Sequence, residues 1–220
     1  MNFKKQLESI KEKIKNLSIE KKSFPKIIAV SKTVDIDTIK EAYDAGQRVF
    51  GENRMEQLNE KVPALPKDIE WHMIGHLQSN KTKNMVELVD WIDSVDSLKL
   101  INKIDKVASK LNKKINILIQ INVSGEEAKY GISPEKIEEL LKTAFDKENI
   151  ICHGFMTMAP FSASDEELHK IFASLGVLRD EMEDILNVKL PELSMGMSGD
   201  YEIAVQEGAS QVRIGSALFR

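Results

Sequence analysis

Only one cysteine, Cys152, stands in the sequence, inside an apolar run. A lone cysteine excludes an internal disulfide and suits a reducing, cytoplasmic setting. Long apolar runs are missing as well. None approaches the ~20 residues that span a bilayer, and the N-terminus lacks the charged-then-apolar pattern of a signal peptide. Neither sign of charge dominates: 31 basic and 35 acidic residues give a net charge of −4. That balance argues against a general affinity for nucleic acid or for an anionic membrane. Three chemistry-bearing patterns are also absent. No G-x-G-x-x-G follows the first strand-like run, no Walker-type loop occurs, and no Ser–His–Asp ordering is found. No stretch of the 220 residues has the composition of a linker.

What is present is 42% hydrophobic residues, enough for a packed core, and 30% charged residues for a soluble surface. Phe3, Leu7, Ile10, Ile14 and Leu17 recur at helical spacing, which predicts an amphipathic helix over 3–17. Its polar face mixes both signs, so docking onto the protein's own body is favoured over lying on a membrane. KIIAVSK (26–32) is a continuous apolar run of the kind that suits a strand covered on both faces in a parallel sheet. Strands and helices then alternate. Helices are predicted near 36–45 and 54–62, after Ser79, from Leu98, after Ser133-Pro134, and after Ser164, whose partner Glu167 completes a capping box. Strands are predicted at RVF, IEWHMIG, WIDSV, KINILIQIN and IICHGFM. The last stretch, 194–219, reads as strand, glycine- and serine-rich turn, short helix to Gly208, final strand, and a second turn of Gly215, Ser216 and Ala217. Eight strands with helices between them, in this length, predict an α/β fold: a single-domain (β/α)8 TIM-type barrel over 1–220 with an extra N-terminal helix. A doubly wound sheet is the alternative, but it lacks its dinucleotide fingerprint.

A barrel of this kind places its chemistry at the carboxyl ends of its strands. Those ends supply Lys32, Asn53, His72, His76, Asp93, Asp96, Asn122, Ser124, Met156, Thr157, residues 194–198 and residues 213–216. Lys32 ends an apolar strand at the barrel mouth, where partial desolvation would favour loss of its proton and attack on a carbonyl; a lysine snorkelling to the surface is the other reading. The turn from Met195 to Gly199 opens a helix, and the Gly215 turn follows the last strand. Both are places where backbone N–H groups can hold an anion, as loops late in such barrels do, although two ordinary loops would look the same. His72 and His76 are four apart on a strand, about 13 Å, too far for one metal ion. Asp93 and Asp96 can be general bases or helix caps, and His153 and His169 have structural positions.

A carbonyl-reactive lysine, a phosphate cradle and Arg213 together point to pyridoxal 5'-phosphate as cofactor. The segments AVSKT, FGEN, WHMIGHLQSNK, GFMTM, SMGMSGD and VRIGSALF resemble, in order across the chain, those of the pyridoxal phosphate homeostasis protein family. The resemblance implies a barrel like the N-terminal domain of alanine racemase, with Lys32 holding the cofactor as a Schiff base. It further implies that Ser198 and the backbone of Gly215 and Ser216 hold the phosphate, that Arg213 faces the pyridine nitrogen, and that Asn53, Met195 and His76 lie near the ring. The function implied is intracellular cofactor homeostasis without robust catalysis, in a monomer that passes the cofactor to apo-enzymes. The competing expectation is an amino-acid racemase using Lys32 as base. The second base of that class is a tyrosine from another domain, which this chain lacks. Of its three tyrosines, Tyr130 is the candidate, with a plain loop role as the alternative.

Overall fold

The computed structural model describes residues 3–17, 24–123 and 130–220. Eight strands, β1 (Lys26–Val30), β2 (Val49–Glu52), β3 (Glu70–Met73), β4 (Trp91–Val95), β5 (Ile115–Gln120), β6 (Ile150–Met156), β7 (Glu192–Ser194) and β8 (Gln211–Ile214), pair in parallel and in chain order. The barrel closes where β1 meets β8, with Lys26 opposite Gln211 and Ile28 opposite Arg213. Helices α1 (Phe3–Leu17), α2 (Ile36–Asp44), α3 (Met55–Ala64), α4 (Thr82–Leu88), α5 (Leu98–Lys110), α6 (Ile137–Phe145), α7 (Asp165–Leu186) and α8 (Tyr201–Gln206) occupy the places predicted for them. The turn predicted after β8 is instead the start of a further helix, α9 (Ser216–Phe219). Four residues are too few to carry a helical period, and the small residues at its start look like a turn.

Alternation along each strand divides the interior in two. Phe50, Ile92, Ile117, Ile119 and Phe155 face the helices and join the main core, whereas Trp91, Leu118 and Met156, next to them in sequence, form a separate cluster on the opposite, axial face. The axial space is therefore only partly apolar, and polar side chains complete it. α1 docks as predicted: its Phe3 ring meets Phe219 of α9 at 5.1 Å between centroids, and Lys13 reaches Glu202 of α8 at 2.9 Å. Ser164 caps α7 in a complete capping box with Glu167. In β6, Gly154 has a φ of +149°, and a Cβ there would lie 1.9 Å from the Glu192 carbonyl oxygen, so only glycine lets β7 approach at this register shift. Cys152 is buried, which pushes its thiol up to about 12, far from a reactive thiolate.

Candidate functional site

Closing the barrel brings the first and last strands side by side, and with them the two regions singled out for chemistry. At the end of β8, Gly215 lies against β1; a Cβ on it would be 3.4 Å from the Val30 carbonyl oxygen. The loop after β7 is tied to β8 and to the turn beyond it: the Arg213 N–H donates to Gly196 O at 3.0 Å. The Ser198 hydroxyl accepts from the N–H groups of Gly215 (3.1 Å) and Ala217 (3.2 Å). Gly196, at φ +88°, packs this turn onto α8, since a Cβ would be 2.5 Å from that of Ala204. Asp200 braces the turn by accepting from Met197 N–H. Among the described residues, no acceptor meets the N–H groups of Ser198, Gly199 and Ser216. Donors left open at the starts of α8 and α9 suit an anion.

Arg213 lies just beneath, buried, donating to the Ser194 hydroxyl at 2.7 Å and to Thr157 O at 2.8 Å. Burial works against its charge, while Asp93 and Asp200 supply the compensating negative charge. Asp93 in turn receives the His72 Nδ1 at 2.9 Å, and His72 Nε2 meets Glu70 at 3.1 Å. Glu70 also accepts from Lys26 at 3.0 Å near the other end of the barrel. With a carboxylate at each ring nitrogen, both nitrogens must donate, so His72 is an imidazolium. Burial pulls its pKa down, but Asp93 and Glu70 outweigh it and the net shift is upward. The hydrogen bond from His72 holds Glu70 down at about 2, against burial and with help from Lys26. Trp91 stacks on His72 at 5.0 Å, and Lys26 lies 5.1 Å over the same indole. A column of alternating charge thus runs along the axis, from Lys26 through Glu70, His72 and Asp93 toward Arg213.

Across the mouth stand the remaining predicted residues. Lys32 follows β1 by two residues, and its side chain is exposed, as in the snorkelling reading and not the partly desolvated one. The strand stops at Val30; Ser31 is the buried residue, and the chain turns outward at Lys32. Asn53 follows β2 and His76 follows β3. They share a cleft of about 410 Å³ with Tyr130, whose ring stacks on His76 at 4.3 Å. His76 also pairs with Asp96 at 3.3 Å. Met195 is fully buried beneath the β7 turn rather than at the surface of the mouth. Ser124 lies outside the described residues. Asp93 is no helix cap: Ser97 caps α5 by accepting from Leu100 N–H. His153 and His169 are held by Asn116 (2.8 Å) and Glu207 (2.7 Å).

Sequence reasoning passed over Glu70 and Lys26, which sit at the starts of their strands, and Glu52, Gln57 and Lys61, which flank Lys32. Strand alternation carried a signal for the first two: Lys26 falls on the axial face with Ile28, and Glu70 with His72. Lys61 gave no signal, because a lysine on a helix ordinarily faces solvent.

The family model described as "Alanine racemase, N-terminal domain" matches residues 6–220. A curated relative from Aquifex aeolicus named "Pyridoxal phosphate homeostasis protein" is 41% identical over 195 residues, 88% of this chain and 86% of that protein. The structure of PipY from Synechococcus elongatus without PLP is 34% identical with a TM-score of 0.91, covering 99% of this chain and all of that one. PipY with PLP bound is 35% identical with a TM-score of 0.85, covering 96% of this chain and 100% of that chain. Alanine racemase from Clostridium difficile shares the barrel alone, at 19% identity and a TM-score of 0.78 over 56% of its own chain.

Proposed function

The chain belongs to the pyridoxal phosphate homeostasis protein family, and from that premise we propose that it binds pyridoxal 5'-phosphate at its barrel mouth to hold and hand on the cofactor. The observation that carries this reading is the β1–β8 closure, which sets the strand leading to the Lys32 amine beside the strand that carries a buried guanidinium and leads to an open set of N–H donors. These groups fit the three parts of the cofactor: an aldehyde for the amine, a phosphate for the donors, and a ring nitrogen for the guanidinium. When bound, the cofactor supplies an aldehyde that captures amines and a ring that can draw in electrons.

In this reading Ser198 and the backbone of Gly215 and Ser216 bind the phosphate, and Arg213 faces the ring nitrogen. Asn53 and His76 border the ring, with Met195 forming part of the floor. Lys32 holds the aldehyde covalently and, being exposed, remains open to exchange with other amines, which suits a carrier. Burial lowers the pKa of Arg213 despite Asp93 and Asp200, yet a guanidinium keeps its proton at neutral pH, and a permanent cation beside the ring nitrogen disfavours its protonation. The ring is then a weak electron sink. Racemisation further needs a base on the face away from Lys32. General acid–base catalysis is worth about 10²–10⁴ in rate, so a racemase would need Tyr130, which stacks on His76 in the cleft, to act as that base.

The test is to load the full chain with the cofactor, remove free cofactor, and present it to an apo-enzyme and separately to a panel of amino acids. We expect the apo-enzyme to gain activity and alanine to racemise negligibly. Robust amino-acid turnover, abolished by Lys32→Ala, would replace the carrier with an enzyme.

A further inference from the structure

Lys32 is exposed, yet the backbone around it is clamped from beneath by a buried pair of opposite charges. Glu52, the last residue of β2, is fully buried, and Lys61, on α3, is 4% exposed. Their ion pair measures 2.6 Å. The same Glu52 oxygen accepts from the Ser31 hydroxyl at 2.7 Å, and the Lys61 ammonium also donates to the Ser31 carbonyl at 2.8 Å. The Ser31 N–H is spent on Gly51 O at 3.1 Å, and Gln57, one turn before Lys61 on α3, donates to the Lys32 carbonyl. Every polar group of Ser31 and the carbonyl of Lys32 are therefore fixed by β2, α3 or the turn itself. The other Glu52 oxygen, Oε2, is buried and has no partner among the described residues.

That arrangement is a poor way to gain stability. A buried ion pair loses much of its attraction to desolvation, and an apolar pair of similar volume is often neutral or better. A carboxylate left with one oxygen unpartnered adds to that cost. What the pair does accomplish is geometric: it fixes Ser31, next to the residue that carries the reactive amine, to β2 and α3.

We propose that the Lys61–Glu52 pair is the positioning device for Lys32, holding the Ser31–Lys32 peptide so that the amine meets the cofactor's aldehyde at the mouth. The proposal rests on the reading that Lys32 takes up pyridoxal 5'-phosphate covalently. In that condensation the Lys32 nitrogen bonds to the aldehyde carbon and one water leaves, so no oxidant or reductant is needed. Lys61 is a positioning residue: it acts on the lysine alone and leaves the phosphate and ring contacts as they are.

The test compares the affinity of the full chain for two ligands, pyridoxal 5'-phosphate and pyridoxine 5'-phosphate, which keeps the ring and phosphate but has no aldehyde. Their affinity ratio reads the covalent share of binding. In Lys32→Ala the ratio should collapse to about one through loss of the covalent link; a ratio unchanged there would show that the Lys32 reading itself is wrong, independently of Lys61. Lys61→Met should lower affinity for the aldehyde by up to about 100-fold, the cost of a 1 Å misplacement, with pyridoxine phosphate binding unchanged. Lys61→Arg, which can still donate to Glu52 and to Ser31 O, should recover part of the loss. Should Lys61→Met fail to fold because Glu52 is left unpaired, the double variant Glu52→Leu/Lys61→Met removes both charges and should show the same selective loss. Equal affinities for the aldehyde in wild type and variant, or equal losses for both ligands, would overturn the proposal.

Discussion

At the scale of single residues, the column through the barrel explains how a buried arginine, histidine and aspartate coexist. Each charge has an opposite one beside it, and the outer end of the column, Glu70 with Lys26, is half-exposed. This sets a pH window. Glu70 titrates near 2 in the folded chain against an ordinary 4.5, so its contribution is complete above pH 4.5 and fades as pH falls toward 2. His72 is raised above its ordinary 6.5, so its contribution is complete below pH 6.5 and fades as pH rises through its folded value. Denaturant midpoints measured across pH should show a plateau between those limits. Glu70→Gln should remove part of the acid-side slope, by about 1 kcal/mol given how strongly solvent screens the exposed end. Identical pH profiles for wild type and Glu70→Gln would show that Glu70 is not paired as described. The members of this column were partly legible, but not their pairing: His72, Asp93 and Arg213 stood out at strand ends, while the bond between His72 and Asp93 across β3 and β4 depends on a register that sequence spacing does not encode.

At the scale of elements, the alternation of strands and helices was legible because the longer helices carry clear apolar stripes and strands such as β1 and β5 are largely apolar runs. The ends were less so. Leu111, Phe145 and Ile185 fit the stripes of their helices by spacing, yet they are exposed, because they lie at or beyond the last turn where the helix leaves the barrel. α9 was invisible at four residues. Its packing partner was not: the stripe of α1 pointed to docking, and Ile14 in that stripe is fully buried. Since α1 packs on α8 and α9, which begin at the turns proposed to hold the phosphate, it supports the candidate site from outside. Ile14→Ala should destabilise the chain by about 2–5 kcal/mol and weaken cofactor binding, although it alters no group at the mouth. Calorimetry paired with a binding titration checks this; an unchanged melting temperature would mean that α1 is not part of the folded unit.

At the scale of the whole molecule, the candidate site exists because a barrel closes. Lys32 and Ser216 are separated by almost the entire sequence, and the pairing of β1 with β8 sets the strands that lead to them side by side. That is why the lysine and the small-residue turns could each be picked out in the sequence, while their assembly into one site followed from counting eight strands. The sequence left open whether Lys32 is desolvated at the strand end or snorkels out; the chain turns outward two residues past Val30 and leaves Lys32 in solvent. The central claim is that this amine, and not another of the many lysines, holds the cofactor across the closure from the Ser198 and Ser216 turns. The most direct measurement is to load the full chain with pyridoxal 5'-phosphate, reduce it with borohydride, and map the modified peptide by mass spectrometry. The account predicts one stoichiometric modification, on Lys32, lost in Lys32→Ala; stoichiometric modification of Lys61 or of any other lysine in the wild-type chain would contradict it.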